Sequence, residues 1–180
     1  MSADDSPASL LQQHLEAVAA AARLGPVVDL ACGRGRNALA IARAGTPVVG
    51  IDRNAELLAS LRATARAEQL PVALARADLE SELGPPLAPR SCGAIAVFRF
   101  LYRPLCPALL EALRPGGLLL YETFTIHQRE LAHGPRNPAF LLEEGELPRL
   151  FPGLEILTHW EGTIHSPRPC AVAQLAARRP

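Results

Sequence analysis

The sequence contains no lysine. All 18 basic residues among its 180 residues are arginine, so no side chain could form a Schiff base with a substrate or act as the lysine of a P-loop. The four cysteines are widely scattered and show neither a CxxC pair nor the spacing of a zinc site. We therefore expect reduced thiols, no disulfide framework and no bound metal ion.

Long apolar runs and an excess of charge of one sign are also missing. No segment approaches the roughly 20 apolar residues of a membrane-spanning helix, and residues 1–6 carry two aspartates and no basic residue, unlike a signal peptide. The acidic residues also number 18, so the formal net charge is zero. Such a chain has no global field to recruit nucleic acid or an anionic membrane. We expect a cytoplasmic location and neither of those partners.

The length suits one domain, and we expect residues 1–180 to form it. An N-terminal helix is predicted within residues 1–25, with Ser6 as N-cap and Pro7 at the first helical position. Leu11, Leu15 and Val18 recur at helical spacing and predict a face that packs on the core.

Strands and helices then alternate along the chain. The predicted strands are Val27–Ala31, Pro47–Ile51, Pro71–Arg76, Ala94–Phe98 and Leu118–Phe124. Helices are expected before Ala44, after an Asn54 cap, over Pro104–Leu113 and near Glu144–Leu150. Continuous apolar strands separated by helices indicate a parallel sheet that is covered on both faces.

The last third of the chain is predicted to close the sheet differently. Pro115-Gly116-Gly117 is expected to form a turn, and the segment 81–91, with three prolines and a glycine, a loop. The apolar runs Leu154–Trp160 and Cys170–Ala176 are close enough in sequence to pair as an antiparallel hairpin.

The segment from Val27 to Asn37 carries the main chemical signal. A strand delivers Asp29 near its C-terminal end, and the Gly33-Arg34-Gly35 turn then opens a helix. Glycine allows positive φ and a close approach of a ligand to the backbone, while the helix N-terminus offers unpaired N–H donors. Ligands of open parallel sheets bind at the carboxyl ends of the strands, so a binding site is predicted here.

The same turn also satisfies the permissive dinucleotide pattern G-x-G-x-x-A, which leaves two cofactor classes open. In dinucleotide sites the first glycine follows the strand closely, whereas Asp29 precedes Gly33 by four residues. A carboxylate would also be unfavourable beside a pyrophosphate at the helix N-terminus. Asp29 therefore favours a ligand with an ammonium group over a dinucleotide.

Two further acids end the second and third strands. Asp52 could accept hydrogen bonds from both hydroxyls of a ribose, and Asp78 from the exocyclic amine of an adenine whose ring Leu79 covers. Each acid could instead cap the helix that follows it. The placement of Asp29, Asp52 and Asp78 at three successive strand ends favours the binding roles.

Taken in order, these motifs resemble class I S-adenosylmethionine-dependent methyltransferases. The resemblance covers residues 25–124 and includes Ile95–Leu101 and Leu113-Arg114-Pro115-Gly116-Gly117-Leu118. It implies a Rossmann-like α/β fold: a seven-stranded, mostly parallel sheet with an antiparallel C-terminal hairpin and helices on both faces. The expected donor is S-adenosyl-L-methionine, with S-adenosyl-L-homocysteine as product.

The resemblance also implies roles for single residues. Asp29, Gly33 and Gly35 would contact the methionine part, Asp52 the ribose and Asp78 the adenine, with Phe98 and Arg99 beside the methyl group. The full set of candidate cofactor-binding residues is Asp29, Ala31, Gly33, Gly35, Asn37, Asp52, Arg53, Asp78, Leu79 and Phe98.

The C-terminal third resembles the tellurite-resistance (TehB-type) methyltransferase group. The similarity lies in residues 137–147, in Glu155-Ile156-Leu157 and in the Gly-Arg-Asn of the first motif, whereas Tyr121–Phe124 departs from that pattern. It implies a small acceptor, such as a chalcogen oxyanion, a small thiol or another anionic metabolite. RNA or protein methylation, and binding without catalysis, are the alternatives.

The acceptor side is predicted from residue chemistry. Arginine suits an oxyanion or carboxylate, and histidine can accept a proton near neutral pH. The catalytic candidates are Arg99, His165 and Arg168, with Tyr102, His127 and Arg136 as further acceptor-side candidates. We expect segment 125–150 to form a loop or lid on that side, and the protein to be a monomer or homodimer.

Overall fold

A single seven-stranded sheet organises the chain. The structure is a computed structural model that describes residues 6–81, 84–165 and 168–180; the prediction about a signal peptide therefore lies largely outside the described residues. The strand order is β3-β2-β1-β4-β5-β7-β6. The strands are β1 (Val27–Leu30), β2 (Val48–Asp52), β3 (Val72–Arg76), β4 (Cys92–Phe98), β5 (Leu113–Phe124), β6 (Glu155–Ile164) and β7 (Cys170–Arg178).

The strand directions confirm the predicted fold class. Strands β1 to β5 pair in parallel, and β7 lies antiparallel between β5 and β6. Strand order reverses between β1 and β4. On one side of β1 lie β2 and β3, and on its other side lie β4 and β5. Ligands of such sheets bind beside the carboxyl ends of the strands at this reversal.

Helices cover both faces of the sheet, as predicted. One face packs against the first four helices through residues such as Leu11, Ile41 and Leu61, and the other against the last two through Leu109 and Leu147. The helices are α1 (Ser9–Gln13), α2 (Leu15–Ala21), α3 (Arg36–Arg43), α4 (Ala55–Ala67), α5 (Cys106–Ala112) and α6 (Glu146–Arg149). None of the helices within the described ranges is long and apolar enough to cross a membrane.

The N-terminal helix begins later than predicted and is interrupted. Its N-cap is Ala8 rather than Ser6. The reason is that the preceding residues bind the start of α3: the Ser6 carbonyl accepts from Arg36, and the Ala8 N–H donates to Oδ1 of Asn37 at 2.9 Å. At His14 the chain makes a tighter turn to the Leu11 carbonyl, which separates α1 from α2.

Of two further local predictions, the helix cap at Asn54 is confirmed and the turn at residues 115–117 is wrong. Asn54 caps α4 as predicted, since its Oδ1 accepts from the N–H groups of Glu56 and Leu57. The predicted turn at Pro115-Gly116-Gly117 is instead part of β5, which starts at Leu113 and pairs with β4 across a register shift. A backbone bond from Gly116 N–H to the Arg179 carbonyl stabilises this irregular part of the strand.

Arg103 fastens segment 125–150 to the sheet. Its guanidinium donates two hydrogen bonds to the Glu146 carboxylate, at 2.6 and 2.9 Å, and two more to the carbonyls of Ala139 and Leu141. The bidentate pair raises the pKa of Arg103 and lowers the pKa of Glu146. Residues 139–146 of this segment are thus held against the turn at Arg103–Leu105 that follows β4.

The turn between β1 and α3 leaves no room for a side chain at Gly35. Its φ is +80°, and a Cβ there would lie 2.3 Å from Cδ1 of Leu61 on α4. Gly45, which follows α3, has a similar φ of +85°, but a Cβ there would meet no atom within 4 Å. Substituting alanine at Gly45 therefore measures the cost of backbone strain alone, whereas the same substitution at Gly35 adds the cost of a steric clash.

We expect Gly35→Ala to lower the free energy of unfolding by about 3 kcal/mol or more, because left-handed strain and overpacking add. Gly45→Ala, with strain alone, should cost about 1–2 kcal/mol. Urea denaturation of both variants measures the two values. Equal losses for the two variants would contradict the tight packing of Gly35 on α4.

Candidate functional site

The first two strand ends are joined by a hydrogen bond between the loops that follow them. The Gly33 N–H donates to Oδ2 of Asp52 at 2.8 Å, and the Asn54 N–H donates to Oδ1 of the same carboxylate at 2.8 Å. A carboxylate has about four acceptor positions, so each oxygen retains a free one. Asp52 is therefore fixed in place and can still accept two further hydrogen bonds.

Space remains open above the turn that follows β1. Gly33 adopts a φ of +56°, and a Cβ there would meet nothing within 4 Å. Its conformation thus favours glycine, while the empty space beside it allows a ligand to approach the backbone. Ala31 and Arg99 also adopt left-handed φ values, +52° and +58°, at the ends of β1 and β4. Such strain in non-glycine residues is concentrated at functional sites.

A cavity of about 400 Å³ opens at these strand ends. We call it the strand-end cavity, and it lies at the reversal of strand order. Five of the candidate cofactor-binding residues line it: Ala31, Asp52, Arg53, Asp78 and Leu79. Its far wall comes from β5 and from segment 125–150, through Phe124, Pro135 and the half-exposed Phe140. Segment 125–150 thus lines this cavity, and its predicted role as a loop or lid on the acceptor side stays a prediction.

The charged groups at the rim of the strand-end cavity contact one another. Arg53 donates to Glu80 at 3.1 Å and lies 4.0 Å from Asp78, whose Oδ1 also accepts from the Glu80 N–H. Asp78 therefore makes a local turn, and residues 79–81, the described residues directly after it, are not helical. All three side chains remain partly exposed, so Asp78 stays accessible to a ligand.

A second cavity, of about 580 Å³, lies beside the N-terminal segment. We call it the N-terminal cavity. Its lining includes residues 6–9, Arg36, Trp160 and, deeper in the sheet, Glu122. Arg99 lines both cavities and therefore lies between them.

Backbone and ring contacts hold Arg99 in this position. Its N–H donates to the Glu122 carbonyl at 2.7 Å, and its guanidinium carbon lies 5.6 Å from the centre of the Phe124 ring. Its Nε is buried and has no hydrogen-bond partner within the described residues. A buried donor without a partner costs about 1–3 kcal/mol, which a bound anion would recover.

Five cofactor-binding candidates lie outside the lining of the strand-end cavity: Asp29, Gly33, Gly35, Asn37 and Phe98. Phe98 is buried in the core, and Asn37 uses its Oδ1 to hold the Ala8 N–H. Gly35 packs on Leu61, so its role is to shape the turn. Of the two glycines among the five, Gly33 has open space beside it and Gly35 does not.

Asp29 lies beneath the turn and is only 2% exposed. Its Oδ2 accepts from the Ala38 N–H at 3.0 Å, in the first turn of α3. Desolvation raises the pKa of Asp29 to about 7, opposed by that hydrogen bond and by the nearby Arg36. The carboxylate therefore organises the turn, and its predicted contact with an ammonium group stays a prediction.

The acceptor-side candidates separate in the structure. His165 is exposed and lines the N-terminal cavity together with Arg99, whereas Arg168 is exposed and lies outside both linings. Tyr102, His127 and Arg136 also lie outside them. His127 binds Glu130 at 3.0 Å, and Arg136 donates to carbonyls of its own loop.

The sequence predictions missed Glu122, Arg36 and Trp160 on the N-terminal cavity. Glu122 had a usable signal, since a charged residue in the middle of an apolar strand must face a cavity or a partner. Trp160 was expected in a strand, but nothing in the sequence indicates that it lines a cavity. Arg36 belongs to the glycine-rich motif, but nothing in the sequence distinguishes it from the other arginines.

Cys32 has no features of a nucleophile, although it lies in the turn. Burial, and then the nearby carboxylates of Asp29 and Asp52, raise the pKa of its thiol well above the usual range. Across the described part of the chain, no group of three or more histidine, cysteine or acidic residues is placed to hold a metal ion.

Comparison with known proteins points to one enzyme family. A family described as "Methyltransferase domain" matches residues 27–117, which hold β1 to β4 and the start of β5. No curated protein matches the chain at a comparable level.

Several solved structures share the fold. TehB from Haemophilus influenzae is 24% identical, with a TM-score of 0.70 over 92% of this chain and 62% of that one. An S-adenosylmethionine-dependent methyltransferase from Mesorhizobium loti is 20% identical, with a TM-score of 0.70 over 95% and 98%. The [4+2]-cyclase SpnF is 20% identical, with a TM-score of 0.72 over 93% and 80%. The chain spans about three fifths of the TehB chain, and these likenesses show the fold.

The buried Asp29 predicts a pH dependence of stability. Its pKa is about 7 when folded and 3.8 as a free side chain, so the folded state binds more protons between these values. Its contribution to the free energy of unfolding is complete below pH 4 and is lost as the pH rises through 7. The free energy of unfolding of Asp29→Asn, taken relative to that of the wild type, should therefore rise by about 2–3 kcal/mol from pH 5 to pH 8.

Urea denaturation of both proteins at several pH values measures this gain. Other titrating groups cancel in the difference between the two proteins. Parallel curves for the variant and the wild type would show that Asp29 is already ionised at pH 5 in the folded protein.

Proposed function

Because the chain belongs to the methyltransferase domain family, we propose that it transfers the methyl group of S-adenosyl-L-methionine to a small acceptor. The observation that carries the proposal is the strand-end cavity, at whose base Asp52 is oriented by two backbone N–H groups and retains free acceptor positions. That arrangement suits the two hydroxyls of a ribose.

The residues around the cavity fit the rest of the donor. Leu79 and Phe140 offer apolar surface for an adenine ring, and Asp78 offers an acceptor for its amine. The open space beside Gly33 suits the methionine part, and Arg99, which lines both cavities, would lie near it. When bound, the donor supplies an electrophilic methyl group on a sulfonium whose charge is lost in the reaction.

The chain's own residues need to align the acceptor and exclude water rather than supply strong acid–base chemistry. The Arg103 contacts with Glu146, Ala139 and Leu141 hold the wall that carries Pro135 and Phe140. Arg99 would hold the acceptor between the cavities, with His165 and Arg168 on the solvent side. We propose S-adenosyl-L-homocysteine as the product that remains bound.

The charge of the site favours a small anionic acceptor. Arg99 offers a buried donor that has no partner in the described part of the chain, and a planar guanidinium suits an oxyanion or a carboxylate. We therefore propose a chalcogen oxyanion such as tellurite, a small thiol or another anionic metabolite. The formal net charge of zero gives no support for an RNA acceptor, and we propose a cytoplasmic protein that acts as a monomer or homodimer.

Calorimetric titration with S-adenosylhomocysteine, beside NAD as a matched adenosine ligand, tests the donor. We expect micromolar binding of the first and no binding of the second, because the carboxylates near the turn oppose a pyrophosphate. Binding of NAD alone would overturn the proposal. Binding of S-adenosylhomocysteine justifies assays with tellurite, selenite and small thiols.

The ribose assignment is tested by Asp52→Ala in the same titration. Each lost charge-assisted hydrogen bond costs about 1.5–3 kcal/mol, so the affinity for S-adenosylhomocysteine should fall at least tenfold. Glu56→Ala, an exposed acid in the first turn of α4, is the control and should keep the affinity. If Asp52→Ala stays folded and binds as tightly as the wild type, the ribose lies elsewhere.

A further inference from the structure

Two oppositely charged side chains line the N-terminal cavity without forming an ion pair. Glu122 is 1% exposed, and its carboxylate accepts one hydrogen bond, from Nε2 of Gln174 at 2.8 Å. Among the described residues no cation forms an ion pair with it. A buried carboxylate with a single neutral partner is costly, so a ligand of the cavity is expected to contribute further contacts.

Arg99 lines the same cavity, and its positive charge also lacks a partner among the described residues. Apart from the stacking on Phe124, its guanidinium makes no hydrogen bond or ion pair with the described residues, and its Nε is buried. The left-handed φ of +58° adds a conformational cost of about 1–2 kcal/mol at this residue. The fold thus holds an unpaired guanidinium and an unpaired carboxylate on one cavity.

We propose that the methyl acceptor is a small acid that also carries a proton-bearing nucleophile, a hydroxyl or a thiol. Its anionic group binds Arg99, and its nucleophile donates a hydrogen bond to Glu122. The inference rests on the proposed methyl transfer and assigns to Glu122 a role that His165 was expected to hold.

Burial favours Glu122 over His165 as the proton acceptor. His165 is exposed, whereas Glu122 is shielded from water and oriented by Gln174, which is itself 3.4 Å from the hydroxyl of Ser9 on α1. A carboxylate only accepts hydrogen bonds, so it selects a group that carries a proton. Positioned proton acceptors of this kind contribute about 10²–10⁴-fold to a rate.

The proposed step balances as a substitution. A lone pair on the acceptor oxygen or sulfur forms the new bond to the methyl carbon. The bond from that carbon to the sulfonium breaks, and its electron pair stays on sulfur. The acceptor's proton passes to a carboxylate oxygen of Glu122, so the products are a methyl ether or thioether and S-adenosylhomocysteine. No oxidant or other co-reactant is needed.

The test uses two acids and their neutral counterparts: salicylate with phenol, and 2-mercaptobenzoate with thiophenol. Methylated product and S-adenosylhomocysteine are measured by mass spectrometry with the full chain and S-adenosylmethionine. We expect at least one acid to be methylated more than tenfold faster than its counterpart, and Arg99→Ala to abolish that preference. Equal rates within both pairs, or no methylation of any of the four, would overturn the proposal.

Glu122→Gln keeps the shape of the side chain but cannot take up the proton. Turnover of the preferred acid should fall 100-fold or more, while the affinity for S-adenosylhomocysteine stays within about threefold of the wild type. Glu155→Gln, an exposed acid at the start of β6, is the matched control and should keep both values.

Each remaining outcome has a distinct meaning. If Glu122→Gln weakens S-adenosylhomocysteine binding more than tenfold, Glu122 holds the donor's ammonium group and the inference is wrong. Unchanged turnover in Glu122→Gln also contradicts it. A wild-type protein that binds no S-adenosylhomocysteine fails at the proposed function itself, and the inference fails with it.

Discussion

The hydrogen bond from the Gly33 N–H to Asp52 joins the two loops from which the site is built. It fixes the turn after β1 against the end of β2, and the close contact of Gly35 with Leu61 on α4 sets the distance between them. The Asp52 carboxylate is consequently oriented before any ligand arrives. Preorganised acceptors of this kind avoid the cost of ordering during binding, so the geometry of the strand-end cavity depends on this contact.

Buried polar groups near the two cavities destabilise the fold, unlike the contact between Gly33 and Asp52. On the N-terminal cavity, Arg99 has a buried donor without a partner among the described residues, and Glu122 has one neutral partner. Asp29, outside that lining, is buried with a raised pKa. Each lowers the stability of the folded chain, whereas the bidentate pair of Arg103 and Glu146 stabilises segment 125–150, which lines the strand-end cavity. Stabilising contacts at the wall and costly groups inside are the arrangement expected of a binding site.

The fold was predictable because its determinants are local in sequence. Strand and helix alternation, the Asn54 cap and the late hairpin all appear as short patterns, and the structure confirms them. Only the start of the first helix was predicted wrongly, because Asn37 and Arg36, distant in sequence, bind the residues before it. The candidate site was partly predictable: acids at strand ends indicated that Asp52 and Asp78 lie together, and both line the strand-end cavity. Only the folded chain places Glu122 beside Arg99. That contact depends on the register between β4 and β5.

The proposed function requires that the carboxyl ends of β1 and β2 bind an adenosyl methyl donor through Asp52. A crystal structure of the protein soaked with S-adenosylhomocysteine tests it most directly. We expect both ribose hydroxyls within hydrogen-bond distance of the Asp52 carboxylate, the adenine against Leu79 and the sulfur near Arg99. A ligand bound elsewhere, or a ribose that makes no contact with Asp52, would contradict it.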